Sequence, residues 1–74
     1  MQTLNLLSTP CPINFVRTKI KLEAMEVGEI LEVALDDGEA IESVSQSITE
    51  EGQKILEQIQ QKDSSWKLVI EKKT

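Results

Sequence analysis

The sequence predicts an α/β protein of the α+β kind: a two-layer βαβαββ sandwich with two helices on one face of a mixed four-stranded sheet. Three observations carry this expectation. Gly28, Gly38, Gly52, Pro10 and Pro12 are the only glycines and prolines, and they divide the chain into short periodic segments. Two of those segments place apolar residues three and four apart, as helices do, whereas the C-terminal segment alternates in the manner of a half-buried strand. An order in which strands and helices alternate before a final hairpin leaves the helices to cover one side of the sheet. The 74 residues are expected to form one domain, residues 1–74, with a thin core. Its only aromatic rings are Phe15 and Trp66, so aliphatic burial must supply most of the stability.

The elements follow in order. Residues from Gln2 to about Leu6 alternate weakly and stop at Ser8-Thr9-Pro10, which suits a first strand and a turn. The stretch from Pro12 to Met25 contains no glycine and no further proline. Proline is tolerated at the first helical position, so Pro12 starts the helix and Cys11 becomes its N-cap. This helix carries two apolar stripes, one through Ile13, Val16, Ile20 and Ala24, the other through Phe15, Leu22 and Met25 with Thr18 between them. Gly28 ends it. Glu29 to Leu35 is rich in aliphatic residues and reads as a strand, closed by the turn Asp36-Asp37-Gly38. Ala40, Ile41, Val44 and Ile48 then mark an amphipathic helix from Glu39 to about Glu51. Lys54 to Gln61 fits a short helix about as well as a strand by periodicity and is taken as a strand. A turn at Lys62–Ser65 leads into the last strand, where Trp66, Leu68 and Ile70 alternate with Lys67, Val69 and Glu71.

Thirteen acidic against eight basic residues give a formal charge of −5, which argues against nucleic acid and anionic membrane surfaces as partners. There is neither an apolar run long enough to span a bilayer nor a basic, apolar start that would direct export, so a cytoplasmic location is expected. The single cysteine excludes an internal disulfide and any zinc site built on two thiolates, and no metal or cofactor is expected. The absence of histidine removes the Cys–His and Ser–His–Asp forms of nucleophilic catalysis.

Cys11 is the residue with chemistry to offer. A helix start presents unpaired N–H groups and a partial positive charge, both of which favour thiolate over thiol. With Pro12 unable to donate, the N–H groups of Ile13 and Asn14 are the expected donors to sulfur, with Arg17 or Lys19 adding attraction from further along the helix. A free cysteine is also commonly an inert small hydrophobe, and spacing alone leaves that alternative open. The two-sided helix offers a further clue: if the second helix leaves one stripe uncovered, Ile13, Val16 and Ile20 form an apolar patch beside the thiol. The adjacent carboxylates Asp36 and Asp37 read as a solvated turn, and Trp66 as a packed strand residue.

Cys11-Pro12 at the start of the first helix, Leu22 and Met25 within it, and Gly28-Glu29 followed by an aliphatic strand and Asp36-Asp37 together resemble the TusA/SirA-like sulfur-carrier proteins. These are small βαβαββ domains with a Cys-Pro-x-Pro motif. The resemblance implies that Cys11 accepts persulfide sulfur from a protein donor, a cysteine desulfurase or a rhodanese-like protein, and relays it to a protein acceptor, for example toward tRNA thiolation or sulfur oxidation. It implies a sulfurtransferase-like carrier rather than a stand-alone enzyme; from the reading of the helix start, Pro12, Ile13, Asn14 and Arg17 are the expected binding residues, and a monomer is expected. Two departures stand out. Asn14 replaces the motif's second proline, and Asn5, Leu7, Ser8 and Thr9 stand where the family has Asp-x-Arg-Gly-Leu. Losing the proline costs about 0.4–1 kcal/mol through the unfolded chain but restores a backbone N–H near the sulfur. A noncatalytic interaction or regulatory domain that keeps the fold is the competing expectation, and a thiol redox sensor is a third.

Overall fold

The computed structural model describes residues 2–10 and 12–74. Its elements are β1 (Gln2–Asn5), α1 (Ile13–Glu23), β2 (Ile30–Leu35), α2 (Glu39–Glu50), β3 (Lys54–Gln60) and β4 (Trp66–Glu71). The sheet has the order β1-β2-β4-β3. β1 runs parallel to β2, while β4 is antiparallel to both β2 and β3. This is the mixed four-stranded sheet with two helices that the segment order implied.

Register decides which side of the sheet is covered. Leu31, Val33 and Leu35 on β2 stand opposite Ile70, Leu68 and Trp66 on β4, and Leu4 on β1 pairs with Val33. Residues directly opposite in a ladder share a face, so these side chains form one apolar surface. Leu22 and Met25 from the α1 end, and Ile41, Val44 and Ile48 from α2, close over it to complete the core. The reverse side carries the polar alternates, including Glu32 and Lys67, whose charged groups lie 3.5 Å apart.

The segment of ambiguous period is a strand, and its irregularity has a visible cause. A β-bulge falls between Ile55 and Glu57, so the alternation of β3 slips by one residue. Beyond the bulge Gln58 turns toward the helices, and its Nε2 donates to Ser45 Oγ on α2 at 2.9 Å. Adjacent Ile55 and Leu56 imitate helical spacing because the bulge separates them.

Helix α1 is shorter than its sequence pattern at both ends. It stops at Glu23, with the Ala24 N–H shared between the carbonyls of Ile20 and Lys21. Met25 lies beyond the helix yet remains buried, and Lys72 Nζ donates to its carbonyl at 2.6 Å. A cation here complements the negative end of the helix dipole. Gly28 therefore does not cap α1. It takes φ +95° in the following turn, and its N–H bonds to the Lys72 carbonyl at 2.8 Å. No helix among the described residues is long and apolar enough to cross a membrane.

Candidate functional site

The loop between β1 and α1 is held by a series of short-range bonds and two long-range bonds, the first from the Leu6 N–H to the Ala34 carbonyl at 2.9 Å. Asn5 Oδ1 accepts the Leu7 N–H at 3.0 Å, and the Thr9 N–H returns to the Leu6 carbonyl at 3.1 Å. Ser8, inside that turn, has φ +61°, a conformation that an L-residue enters at a cost. Its N–H donates to Asp36 Oδ2 at 2.8 Å, which fastens the loop to the end of β2. The turn Asp36-Asp37-Gly38 is thus more than a solvated corner. Its second carboxylate also has a task, since Trp66 Nε1 donates to Asp37 Oδ1 at 2.7 Å.

The loop enters α1 through Pro10 and Pro12. The Asn14 N–H donates to the Pro10 carbonyl at 3.1 Å and the Val16 N–H to the Pro12 carbonyl at 3.0 Å, so the residues on either side of Cys11 are both bonded to the helix. Cys11 itself lies outside the described residues, as does its expected geometry toward the amides. The N-cap position belongs to Pro12 rather than to Cys11, because the regular helix begins at Ile13. The expectation that the Asn14 N–H serves sulfur is likewise corrected, since that N–H is engaged by Pro10. Ile13 is left as the first-turn amide with no acceptor among the described residues.

The four residues expected at the binding site separate. Pro12, Ile13 and Arg17 are exposed, and Ile13, Val16 and Ile20 remain 49%, 46% and 61% accessible. Their i, i+3, i+7 spacing places the three apolar side chains on one face of α1. Helix α2 does not cover this stripe. Arg17, one turn from Ile13 and three residues from Ile20, lies along it, and Lys19 at its border is 3.3 Å from Glu51, the residue that follows α2. The exposed side of α1 is therefore apolar with Arg17 along it, and it ends in the acidic Glu23 three residues beyond Ile20.

Asn14 faces the opposite way and is completely buried. The inward stripe of α1 is Asn14, Thr18 and Leu22, continued by Met25 beyond the helix, so its N-terminal half is polar. Thr18 is satisfied locally, its Oγ1 donating to the Asn14 carbonyl at 2.9 Å. Asn14 Oδ1 accepts the Phe15 N–H at 2.7 Å, while Asn14 Nδ2 finds no partner among the described residues. The signal for this stripe was present in the sequence as i, i+4, i+8 spacing, hidden because two of its three members are polar.

Comparison with known proteins can now be set against this geometry. The sequence model of the family described as sulfurtransferase TusA matches residues 2–72. The chain belongs to the TusA family. A relative in Archaeoglobus fulgidus, named as a candidate sulfur carrier protein, is 36% identical over 72 residues, covering 97% of this chain and 82% of the relative. One from Thermotoga maritima, named likewise, is 35% identical over 97% of this chain and 91% of its own length. The candidate sulfur carrier TsuB of Escherichia coli is 28% identical, with 97% and 96% coverage. The crystal structure of a SirA-like protein from Desulfitobacterium hafniense superposes with a TM-score of 0.85 over the full length of both chains at 23% identity, which establishes the shared fold.

Proposed function

We propose that this TusA-family protein is a cytoplasmic sulfur carrier that takes up and relays sulfane sulfur on Cys11. The observation that carries the proposal is the coincidence of a family match along residues 2–72 with a single cysteine in the chain, two residues before the first helix. The Cys11 thiolate attacks the terminal sulfur of a donor persulfide. A new S–S bond forms at Cys11, the donor's S–S bond breaks, and the donor leaves as a thiolate. Electrons balance within the exchange, so neither an oxidant nor a metal is required. An acceptor thiolate then attacks the terminal sulfur of the Cys11 persulfide in the same way.

The donor is a cysteine desulfurase or a rhodanese-like protein, and the acceptor is a second protein. Both dock on the exposed face formed by Ile13, Val16, Arg17 and Ile20, with Pro12 following Cys11 in the chain. Apolar contact supplies adhesion, and Arg17 favours a partner with carboxylates at its rim. Monomeric protein suits a carrier that must present one sulfur to successive partners.

Intact-protein mass spectrometry tests the proposal after incubation with a cysteine desulfurase and cysteine. One reducible sulfur atom should appear on wild type and not on Cys11→Ala. Failure of wild type to gain sulfur, together with slow alkylation of Cys11 near neutral pH, would leave the uncovered face of α1 as the working part of a noncatalytic interaction domain.

A further inference from the structure

The residues that α1 buries are Asn14, Thr18 and Leu22, two polar and one apolar, and the polar pair lies in the first two turns. A helix of 11 residues takes most of its stability from the apolar face it packs, so these turns gain little from theirs. Asn14 Nδ2 is buried without a hydrogen-bond partner among the described residues. Thr18 Oγ1 donates at 2.9 Å to the Asn14 carbonyl one turn back, a bond that weakens and bends helices. The helix start adds no electrostatic support: residues 13–16 bear no carboxylate to complement the positive end of the dipole, and Pro12 at the N-cap has no side-chain acceptor. Phe15, half-buried against the core, is the apolar tie of this half.

The other half of α1 is anchored. Leu22 and, just past the helix, Met25 are buried in the core. Lys19 lies 3.3 Å from Glu51, Lys21 stands in the last turn, and Lys72 Nζ donates to the Met25 carbonyl at 2.6 Å. Helix α2 is held along its whole length, burying Ile41, Val44 and Ile48 and pairing its buried Ser45 with Gln58.

We propose that residues 13–18 form a cooperative unit that opens to solvent while the rest of α1 and the sheet stay folded. Opening hydrates Asn14 Nδ2 and Thr18 Oγ1 and gives up little apolar burial besides Phe15, whereas opening beyond Thr18 has to withdraw Leu22 from the core. Ile13 and Val16 ride on this unit and Ile20 on the anchored half, so the exposed apolar face of α1 is whole only in the closed form. A partner that covers all three residues binds the closed form more tightly and shifts the population toward it. That consequence rests on the carrier function proposed above; the opening itself rests on the packing of α1.

Residue-resolved hydrogen exchange, under conditions where rates report the opening equilibrium, tests the proposal. In wild type the amides of Val16, Arg17 and Thr18 should share one opening constant and exchange on the order of tenfold faster than those of Leu22 and Glu23. In Asn14→Leu, which keeps a side chain of similar size, the three fast amides should slow about tenfold, because the closed unit no longer buries an unpaired donor. Should that variant fail to fold, the wild-type pattern decides alone. Protection at Val16–Thr18 equal to that at Leu22 overturns the proposal. A steady gain in protection from Val16 to Thr18, the mark of a fraying end, overturns it too, as do unchanged rates in folded Asn14→Leu. Wild type that loads sulfur while both halves of α1 are equally protected refutes the opening alone. A unit that opens in a protein that never takes up sulfur refutes the carrier function and leaves the opening intact.

Discussion

Replacing Asp36 with alanine should loosen the entrance to α1 without touching the helix or its apolar face. In the intact protein Asp36 Oδ2 accepts the Ser8 N–H at 2.8 Å across 28 residues of sequence, and with the Leu6–Ala34 backbone bond it fastens the β1–α1 loop to the end of β2. Bonds to charged groups contribute about 1.5–3 kcal/mol when protected, and the exposure of this one reduces the expected loss to about 1 kcal/mol. A chain of 74 residues has an unfolding entropy near 0.16 kcal/mol/K at its midpoint, so Tm should fall by about 6 °C. The damage should also be local. Ser8 sits at φ +61° and leaves that conformation more readily once its N–H is released, so amide exchange should accelerate at Ser8 and Thr9 before it does in β2 or β4. Adding Ser8→Gly should recover about 0.5–1 kcal/mol, the strain relieved exceeding the extra backbone entropy of glycine. Thermal unfolding followed by circular dichroism, with residue-resolved hydrogen exchange, provides both readings. A Tm within about 1 °C of wild type, or exchange at Ser8 no faster than before, would refute the idea that this carboxylate holds the loop.

Two further outcomes follow from other parts of the molecule. Ile20 is 61% exposed, so Ile20→Ser should change stability by no more than about 0.5 kcal/mol. If a desulfurase covers that exposed part, sulfur uptake should slow about five- to thirtyfold, and uptake at the wild-type rate would remove this face of α1 from the docking surface. Asp63 is held below its ordinary pKa of 3.8 by the Ser65 hydroxyl, which donates to Oδ1 at 2.6 Å, and by the Ser65 N–H at 3.0 Å. Because the folded value is depressed, its contribution to stability is present above the unfolded pKa and lost as pH falls through the folded one. A 13C carboxyl titration should find its midpoint below 3.8, and a midpoint at or above that value would contradict the turn geometry.

Local pattern was enough to specify every element except β3, where helix and strand fitted about equally. Glycines and prolines marked the turns, alternation located β2 and β4, and helical spacing located α1 and α2, because these signals depend on residues a few positions apart. The candidate thiol was equally legible, since one cysteine followed by proline at the head of a helix is a feature of the sequence alone. The bulge in β3 was not, because it depends on the register that β4 imposes. The choice between the two sides of α1 also had to await the fold. Both stripes satisfy helical periodicity, and only the area that β2, β4 and α2 cover determines that Leu22 goes inward while Ile20 stays out. The same packing carries Asn14 into the interior, and it brings Asp36 to Ser8 and Asp37 to Trp66 across 28 and 29 residues. Sequence by itself therefore determined the order of elements, β3 by a choice that periodicity left open, and the candidate residue for the proposed chemistry. Tertiary structure decided how the loop before α1 is fastened and which side of α1 is covered, since burial and long-range hydrogen bonds exist only once distant segments share a surface.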